Sequence, residues 1–295
     1  MEDLIIEIQT HFASQIQGIR PLNSSGLIYK AFSFRQGVEY GVAIEAVSSK
    51  DIYEEAAQIT LKTINNLGVK YIALACCDEG FRNEFAKFAA SFVSPGEKGE
   101  NRLLILDNPL EWWNGWIGML GNKLGGRKSY DTIAEMMALE ELYIQDKSIS
   151  WTASKAGTHD IESDVASFEV KSTLKKSETT VTISSQFQLD SVQPLQLWFF
   201  RLEESEQGYS INDMRRKLIA IGYSESLIEK ELEDRGFMPG NSNREKKYVL
   251  LEKRKFIVDD KFPRIVESSF KNDVYPKNII KILYTIDLEG LEYTT

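Results

Sequence analysis

The sequence predicts an α/β protein, with helices packed on a mixed (α+β) sheet. Three observations carry that reading. Residues 166–173 alternate as a strand does, and a short acidic stretch with a turn signal at Ser163-Asp164 precedes them. A helix-periodic segment runs from Ser129 or Asp131 to Leu142 before this pair, and an apolar run, Pro194–Leu202, follows it. The first 110 residues carry alternating and periodic segments of their own. The expected division is therefore an N-terminal α/β lobe over 1–110 and a second domain over 111–295.

In order, Leu4, Ile5, Ile8 and Phe12 have helical spacing within residues 1–20. Gly26–Phe34 and Val38–Ala46 alternate and predict two strands; Gly26-Leu27-Ile28-Tyr29 matches half of a GIY-YIG signature, but no second half follows. Ser49 is placed to cap a helix from Asp51 to Leu67, with Gly68 as its stop. Val69–Cys76 is a continuous apolar run suited to a strand buried on both faces. Phe81–Phe92 reads as helix and Arg102–Leu106 as a short strand. Pro109–Leu120, holding Trp112, Trp113 and Trp116, reads as a helix packed between the lobes. The glycine-rich Gly121–Ser129 lacks the Gly-Lys-Ser ending of a phosphate loop and a buried strand before it, which leaves a basic loop able to touch phosphate.

Farther on, Thr179–Ser185 predicts a strand, followed by a short helix holding Gln186 and Gln188. Residues 211–222 and 226–236 read as helices, the second with a Ser226-x-x-Glu229 capping box and Gly236 as its stop. A groove-reading helix pair is excluded, because the second helix carries Glu229, Glu231, Glu233 and Asp234 beside where phosphates would lie. Arg215, Arg216 and Lys217 suit backbone contact better. Arg244–Lys255 holds six basic against two acidic residues in an expected hairpin, the best local candidate for DNA contact, with protection of a solvated edge strand as the equal alternative. Phe262–Val266 and Ile279–Leu288 are expected to close the fold as strands.

Composition narrows the class. With 42% hydrophobic residues in 295, the chain can bury a real core, and no apolar run approaches the ~20 residues of a membrane span. Met1-Glu2-Asp3-Leu4 lacks an export pattern, and Cys76-Cys77 read as small core residues of a reducing compartment, so a cytoplasmic location is expected. The net charge of −9 argues against indiscriminate duplex binding. A chain of this charge that acts on DNA needs a local basic surface or a partner.

The chemistry concentrates in His159–Lys171. If the chain reverses between Asp164 and Val165, Asp160 lies opposite Glu169 and Ile161 opposite Phe168, and opposed residues of an antiparallel pair share a face. One face then holds Ile161, Phe168 and Val170. The other gathers Asp160, Glu162, Glu169 and Lys171. Three crowded carboxylates repel one another beyond what one lysine can neutralise, whereas a hard divalent cation prefers such oxygen ligands. The spacing Asp-x8-Glu-x-Lys reads as metal-assisted phosphodiester hydrolysis, with Lys171 beside the attacking water. A solvated face of an ordinary sheet is the competing reading, and a one-residue slip in register would restore it. Glu135, on the inward face of the 129–142 helix, needs a cation, with Lys171 or a metal as candidates; a place at the edge of the apolar stripe is the competing reading, and Glu140 and Glu141 are the alternatives if the helix is rotated.

These residues resemble the PD-(D/E)XK nuclease superfamily, and more closely the PD-(D/E)XK family found in bacterial restriction and phage-defence gene clusters. The matching residues are Glu135 in Ile-Ala-Glu-Met-Met-Ala-Leu, Trp151, His159-Asp160-Ile161, Glu169-Val170-Lys171, Gln188-Leu189, and later Phe262–Ile265 and Ile282–Asp287. Ile161 stands where the family has an aromatic, and His159 where the wider superfamily has Pro. The resemblance implies a restriction-endonuclease-like core and a DNA endonuclease. It implies Mg²⁺ or Mn²⁺ on Asp160, Glu169 and the Val170 carbonyl, with Lys171 positioning water, Glu135 supporting a ligand or second metal, and Gln188 auxiliary. It also implies ATPase and other defence-system partners, and a homodimer if duplex cuts are paired. A DNA-repair nuclease on structured ends and a non-catalytic scaffold are the rival functions.

Overall fold

A computed structural model describes the chain apart from residues 26–28, 47–49, 57, 121–127, 153–158 and 280, and apart from the side chains of 117–120. The GIY-like string at 26–28, the Ser49 cap and most of the glycine-rich loop lie outside the described residues. The chain forms two compact units, Met1–Gly125 with Met238–Ser242, and Gly126–Phe237 with Asn243–Thr295.

The first unit is a six-stranded antiparallel sheet with helices. Its elements are α1 (Glu2–Ala13), β1 (Gly18–Pro21), β2 (Ala31–Gln36), β3 (Glu39–Glu45), β4 (Tyr53–Ala56), β5 (Ile59–Asn66), β6 (Val69–Cys76), α2 (Arg82–Val93), α3 (Glu100–Asp107) and α4 (Pro109–Leu120), with strand order β1-β2-β3-β6-β5-β4. Helix α1 buries Leu4, Ile8 and Phe12, four residues apart, against one sheet face together with α2.

Two expected elements are corrected here. Residues 51–67 form the hairpin β4–β5 rather than a helix. The β-branched Ile59, Thr60, Thr63 and Ile64 suit a pleated surface, and pairing with all of β6 (Ile59 opposite Cys76 through Asn66 opposite Val69) outweighs any helical preference. Gly68 does not stop a helix but completes the Leu67-Gly68 turn, where both residues have positive φ, as a two-residue hairpin loop requires. Residues 102–106 are helical within α3, because Arg102 and Ile105, three apart, are the inward positions. The Arg102 guanidinium donates to the carbonyls of Lys30 and Val93. The tryptophans expected between the lobes pack inside this unit: Trp112 and Trp116 lie 5.4 and 4.7 Å from the Phe88 ring. Cys76 is buried as expected, but Cys77 is exposed.

The second unit begins with α5 (Ser129–Gln145), buried over most of its circumference. There follow β7 (Ser150–Trp151), β8 (Ile161–Glu162), β9 (Ser167–Thr173), β10 (Thr180–Ile183), a 3₁₀ turn over Gln186–Leu189, and β11 (Leu195–Tyr209). Helices α6 (Ile211–Ala220) and α7 (Glu225–Asp234), then β12 (Tyr248–Ile257) and β13 (Tyr284–Asp287), complete it. A five-stranded mixed sheet has the order β12-β11-β9-β8-β7, in which β9 pairs antiparallel with β8 and parallel with β11. A core of α5–α7, Phe168, Val170, Trp198 and Phe200 covers one face, and Leu195, Leu197, Phe199 and Phe256 belong to a second core.

The C-terminal expectations hold in part. Strand β10 pairs with β13 in a separate two-stranded sheet. Residues 262–266 form no strand, and Phe262 is buried beside Phe256. Residues 244–255 are not a hairpin: Ser242–Arg244 is a 3₁₀ turn and Tyr248–Ile257 a single strand on β11. The capping box belongs to α6 instead of α7, with Ser210 and Asp213 capping reciprocally. Gly236 does end α7: at φ +84° it donates to the Glu233 carbonyl while Phe237 donates to that of Leu232.

Candidate functional site

The β8–β9 hairpin builds the site. Ser163 N–H donates to the Ala166 carbonyl, and the Ser163 hydroxyl accepts from Val165 and Ala166 N–H, so this serine closes the turn. The register that follows sets Ile161 opposite Phe168 and Glu162 opposite Ser167, which carries Asp160 to the level of Glu169. A second lock is a side-chain bond: Asp160 Oδ2 accepts from Val170 N–H at 2.8 Å.

Asp160, Glu169, Val170 and Lys171 line a cleft of about 780 Å³ together with Asp131 and Glu135 from α5, Thr180, Thr182 and Ser184 from the β10 segment, and Gln188. Lys171 Nζ lies 2.7 Å from Glu169 Oε1 and 3.5 Å from Gln188 Oε1. Gln188 Oε1 also accepts from Ser184 N–H and its hydroxyl, at 2.7 and 3.1 Å. The amide is therefore held facing the lysine by the 3₁₀ turn that carries it.

Burial and mutual repulsion dominate the electrostatics. Burial, then the charges of Glu169 and Glu135, hold the Asp160 carboxyl well above the usual carboxylate range, against the pull of the Val170 N–H and Lys171. Burial likewise raises Glu169 despite Lys171. Burial alone would depress Lys171, but Glu169, Asp160 and Glu135 together carry it above its ordinary value, so it is an ammonium at neutral pH. Glu169 Oε1 is buried and has only the off-axis ion contact with Lys171, with no aligned hydrogen bond.

That oxygen, the opposed Asp160 carboxyl and the Val170 carbonyl offer an oxygen donor set that suits a hard divalent cation retaining several waters. Among the described residues no three Asp, Glu, His or Cys side chains close into a ligand cage. Water and substrate oxygens must complete any coordination here.

Glu162 is on the expected face but outside the cleft; it lies 3.7 Å from His159 Nδ1. Glu135 lines the cleft, yet its cation is not Lys171. Its Oε2 accepts from Trp151 Nε1 at 2.8 Å and from Arg235 Nη2 at 2.5 Å. Arg235 also binds Glu231 at 3.0 Å and lies 4.4 Å over the Trp151 ring, with its side chain wholly buried. The sequence pattern gives no sign of Arg235, which lies 100 residues from its partner and just past the end of a helix. Asp131 also went unread; its carboxylate accepts from Ser172 and is raised mainly by burial. Asp131 and Glu135 are four apart on α5, a spacing that could have flagged the pair.

The basic stretch expected to meet DNA is largely consumed internally. Arg244 binds Glu229, Lys247 Glu206, Lys253 and Lys255 bind Glu141, and Arg254 binds Glu252. Arg215, Arg216 and Lys217 pair with Glu225 and Glu229, Asp213, and Glu140.

A helix bearing a glutamate, an antiparallel strand pair presenting Asp and Glu-x-Lys, and a parallel third strand define the PD-(D/E)XK class of nuclease-like folds. The chain belongs to the family described as "Putative PD-(D/E)XK family member, (DUF4420)", whose model matches residues 43–289. No curated protein and no solved structure gives a significant match.

Proposed function

We propose that the protein is a Mg²⁺- or Mn²⁺-dependent DNA endonuclease, the cutting subunit of a restriction or phage-defence system. The observation that carries this is Asp160 held level with Glu169 in one cleft, both raised out of their usual titration range chiefly by burial, with the Lys171 ammonium beside them. Asp160, Glu169 and the Val170 carbonyl hold the cation. When bound, it supplies positive charge to the scissile phosphate and acidifies water for attack. Lys171, as an ammonium, donates to the attacking water or to a phosphate oxygen and offsets the charge that builds there. Gln188 keeps Lys171 aimed, and Glu135, anchored on Oε2, offers Oε1 to the cleft.

The rest of the assignment follows from family and charge. The nuclease chemistry belongs to the second unit, and the first serves another role in a two-domain chain. A net charge of −9 fits a subunit that depends on DNA-holding partners such as an ATPase, or on a second copy of itself. Among the described residues no helix is long and apolar enough to cross a membrane, and the free cysteines fit a cytoplasmic home.

The test is plasmid cleavage by the purified chain, with Mg²⁺, Mn²⁺ or EDTA. Cleavage that needs the divalent ion and falls by about 10²–10⁴-fold in Lys171→Ala, with unchanged circular dichroism, is expected. Equal activity in wild-type and Asp160→Ala preparations would defeat the assignment.

A further inference from the structure

If the cleft cuts DNA, something must hold the polyanion beside an acidic centre. The stretches that composition favoured for this are neutralised by glutamates. A different segment is not. Residues 261–284 carry Lys261, Lys271, Lys277 and Lys281 against Glu267 and Asp273, besides Arg264, which pairs with Asp260 at 3.1 Å. Lys261, Lys271, Lys277 and Lys281 are exposed, and among the described residues Lys271, Lys277 and Lys281 make no ion pair.

This segment is fastened to the turn that carries Gln188. Ile282 N–H donates to Gln186 Oε1 at 3.0 Å, and Arg264 Nη1 donates to the Leu189 carbonyl at 3.2 Å. The Tyr275 ring lies 6.2 Å from that of Phe187 and 5.4 Å from that of Phe270. The Tyr284 hydroxyl accepts from Ile265 N–H, which ties the two ends of the segment together. Phe187, next to Gln188 in sequence and in ring contact with Tyr275, is 48% exposed.

Free cations with an exposed aromatic ring suit a nucleic-acid strand: ammonium groups follow the phosphates, and a ring stacks on an unpaired base. We propose that residues 261–279 and 281–284, with Phe187, form the surface on which a DNA strand with at least one unstacked base is held against the cleft. This rests on the nuclease reading, since it assigns that site its substrate contact.

Fluorescence anisotropy with labelled single-stranded and duplex oligonucleotides, in EDTA so that nothing is cut, tests it on the full chain. The charge-reversal triple Lys271→Glu/Lys277→Glu/Lys281→Glu is compared with Lys30→Glu/Lys87→Glu/Lys98→Glu, three exposed lysines of the first unit, which changes net charge equally. The first triple is expected to weaken binding at least tenfold. Its plot of log affinity against log salt should also be shallower, by about 0.7–0.9 for each phosphate that is no longer neutralised. The second triple is expected to stay within threefold of wild type. Phe187→Ala should cost about tenfold on single strands and little on duplex.

Equal losses in both triples, wild-type binding by the first triple, or no DNA binding by wild type would each overturn the proposal. So would a first triple that keeps DNA binding but loses association with a partner protein. Wild-type plasmid cleavage with Mg²⁺ judges the nuclease reading separately: a chain that cuts normally while the first triple still binds DNA removes this surface and leaves that reading intact.

Discussion

The hairpin carboxylates pit stability against chemistry. Asp160 and Glu169 have raised pKa values, so the folded state holds their protons more tightly than the unfolded chain does. The stability linked to them is present below the ordinary carboxylate pKa and is lost as pH rises from there towards the folded values. The metal-free protein should therefore be more stable at pH 4.5 than at pH 7.5 as far as these two groups decide it. Asp160→Asn should raise apo stability at neutral pH by about 0.5–2 kcal/mol and abolish cleavage. Urea titrations of wild type and variant at both pH values check this; an apo Asp160→Asn protein less stable than wild type at neutral pH would refute it. Added Mn²⁺ should stabilise wild type and not the variant, seen as a rise in melting temperature.

Arg235 is the opposite kind of residue. It is buried between Glu135 and Glu231, so removing it takes a buried positive charge away from both carboxylates. Arg235→Met should cost about 3–5 kcal/mol, and Arg235→Met/Glu135→Gln should recover part of that, because the uncompensated charge is smaller. Chemical denaturation of the two variants gives the comparison. Equal losses would mean that Arg235 contributes packing on Trp151 instead of charge balance.

At the scale of elements, the five-stranded sheet depends on how β11 and β12 meet. Their register shifts between Arg201 and Leu202 and again between Glu204 and Tyr209, and Gly208 sits in the second irregularity. A Cβ there would lie 2.1 Å from the Tyr248 carbonyl carbon, so only glycine permits the approach. Gly208→Ala is expected to destabilise the protein by about 1–3 kcal/mol through forced separation of the strands, read as a lower urea midpoint with an unchanged m-value. Gly236→Ala, with open space around it but φ +84°, should cost only about 1 kcal/mol. Elements also show where local pattern misleads. Residues 51–67 contain enough helix formers to read as helix, yet they pair as β4 and β5, because a completed strand β6 offers a hydrogen-bonded edge along the whole of β5.

At the scale of the molecule, charge decides more than composition announces. The net −9 conceals a division between paired and unpaired cations. Five of the six basic residues in 244–255 meet glutamates, while among the described residues Lys271, Lys277 and Lys281 make no ion pair. Clustering in sequence counts charges of one sign along the chain. It cannot count the opposite charges that folding brings to them.

What the sequence determined unaided is what depends on neighbours along the chain. Period-two alternation over 166–173 and a serine turn set the level of Asp160 against Glu169, and an apolar stripe set α5 with Glu135 on its inward side. These are short-range facts of backbone geometry, legible in the order of residues alone. Tertiary structure alone decided that Glu135 answers to Arg235, that Asp131 joins the cleft, and which lysines remain unpaired. Each depends on residues distant in sequence, brought together by how strands and helices order themselves in space, and no local period encodes that order.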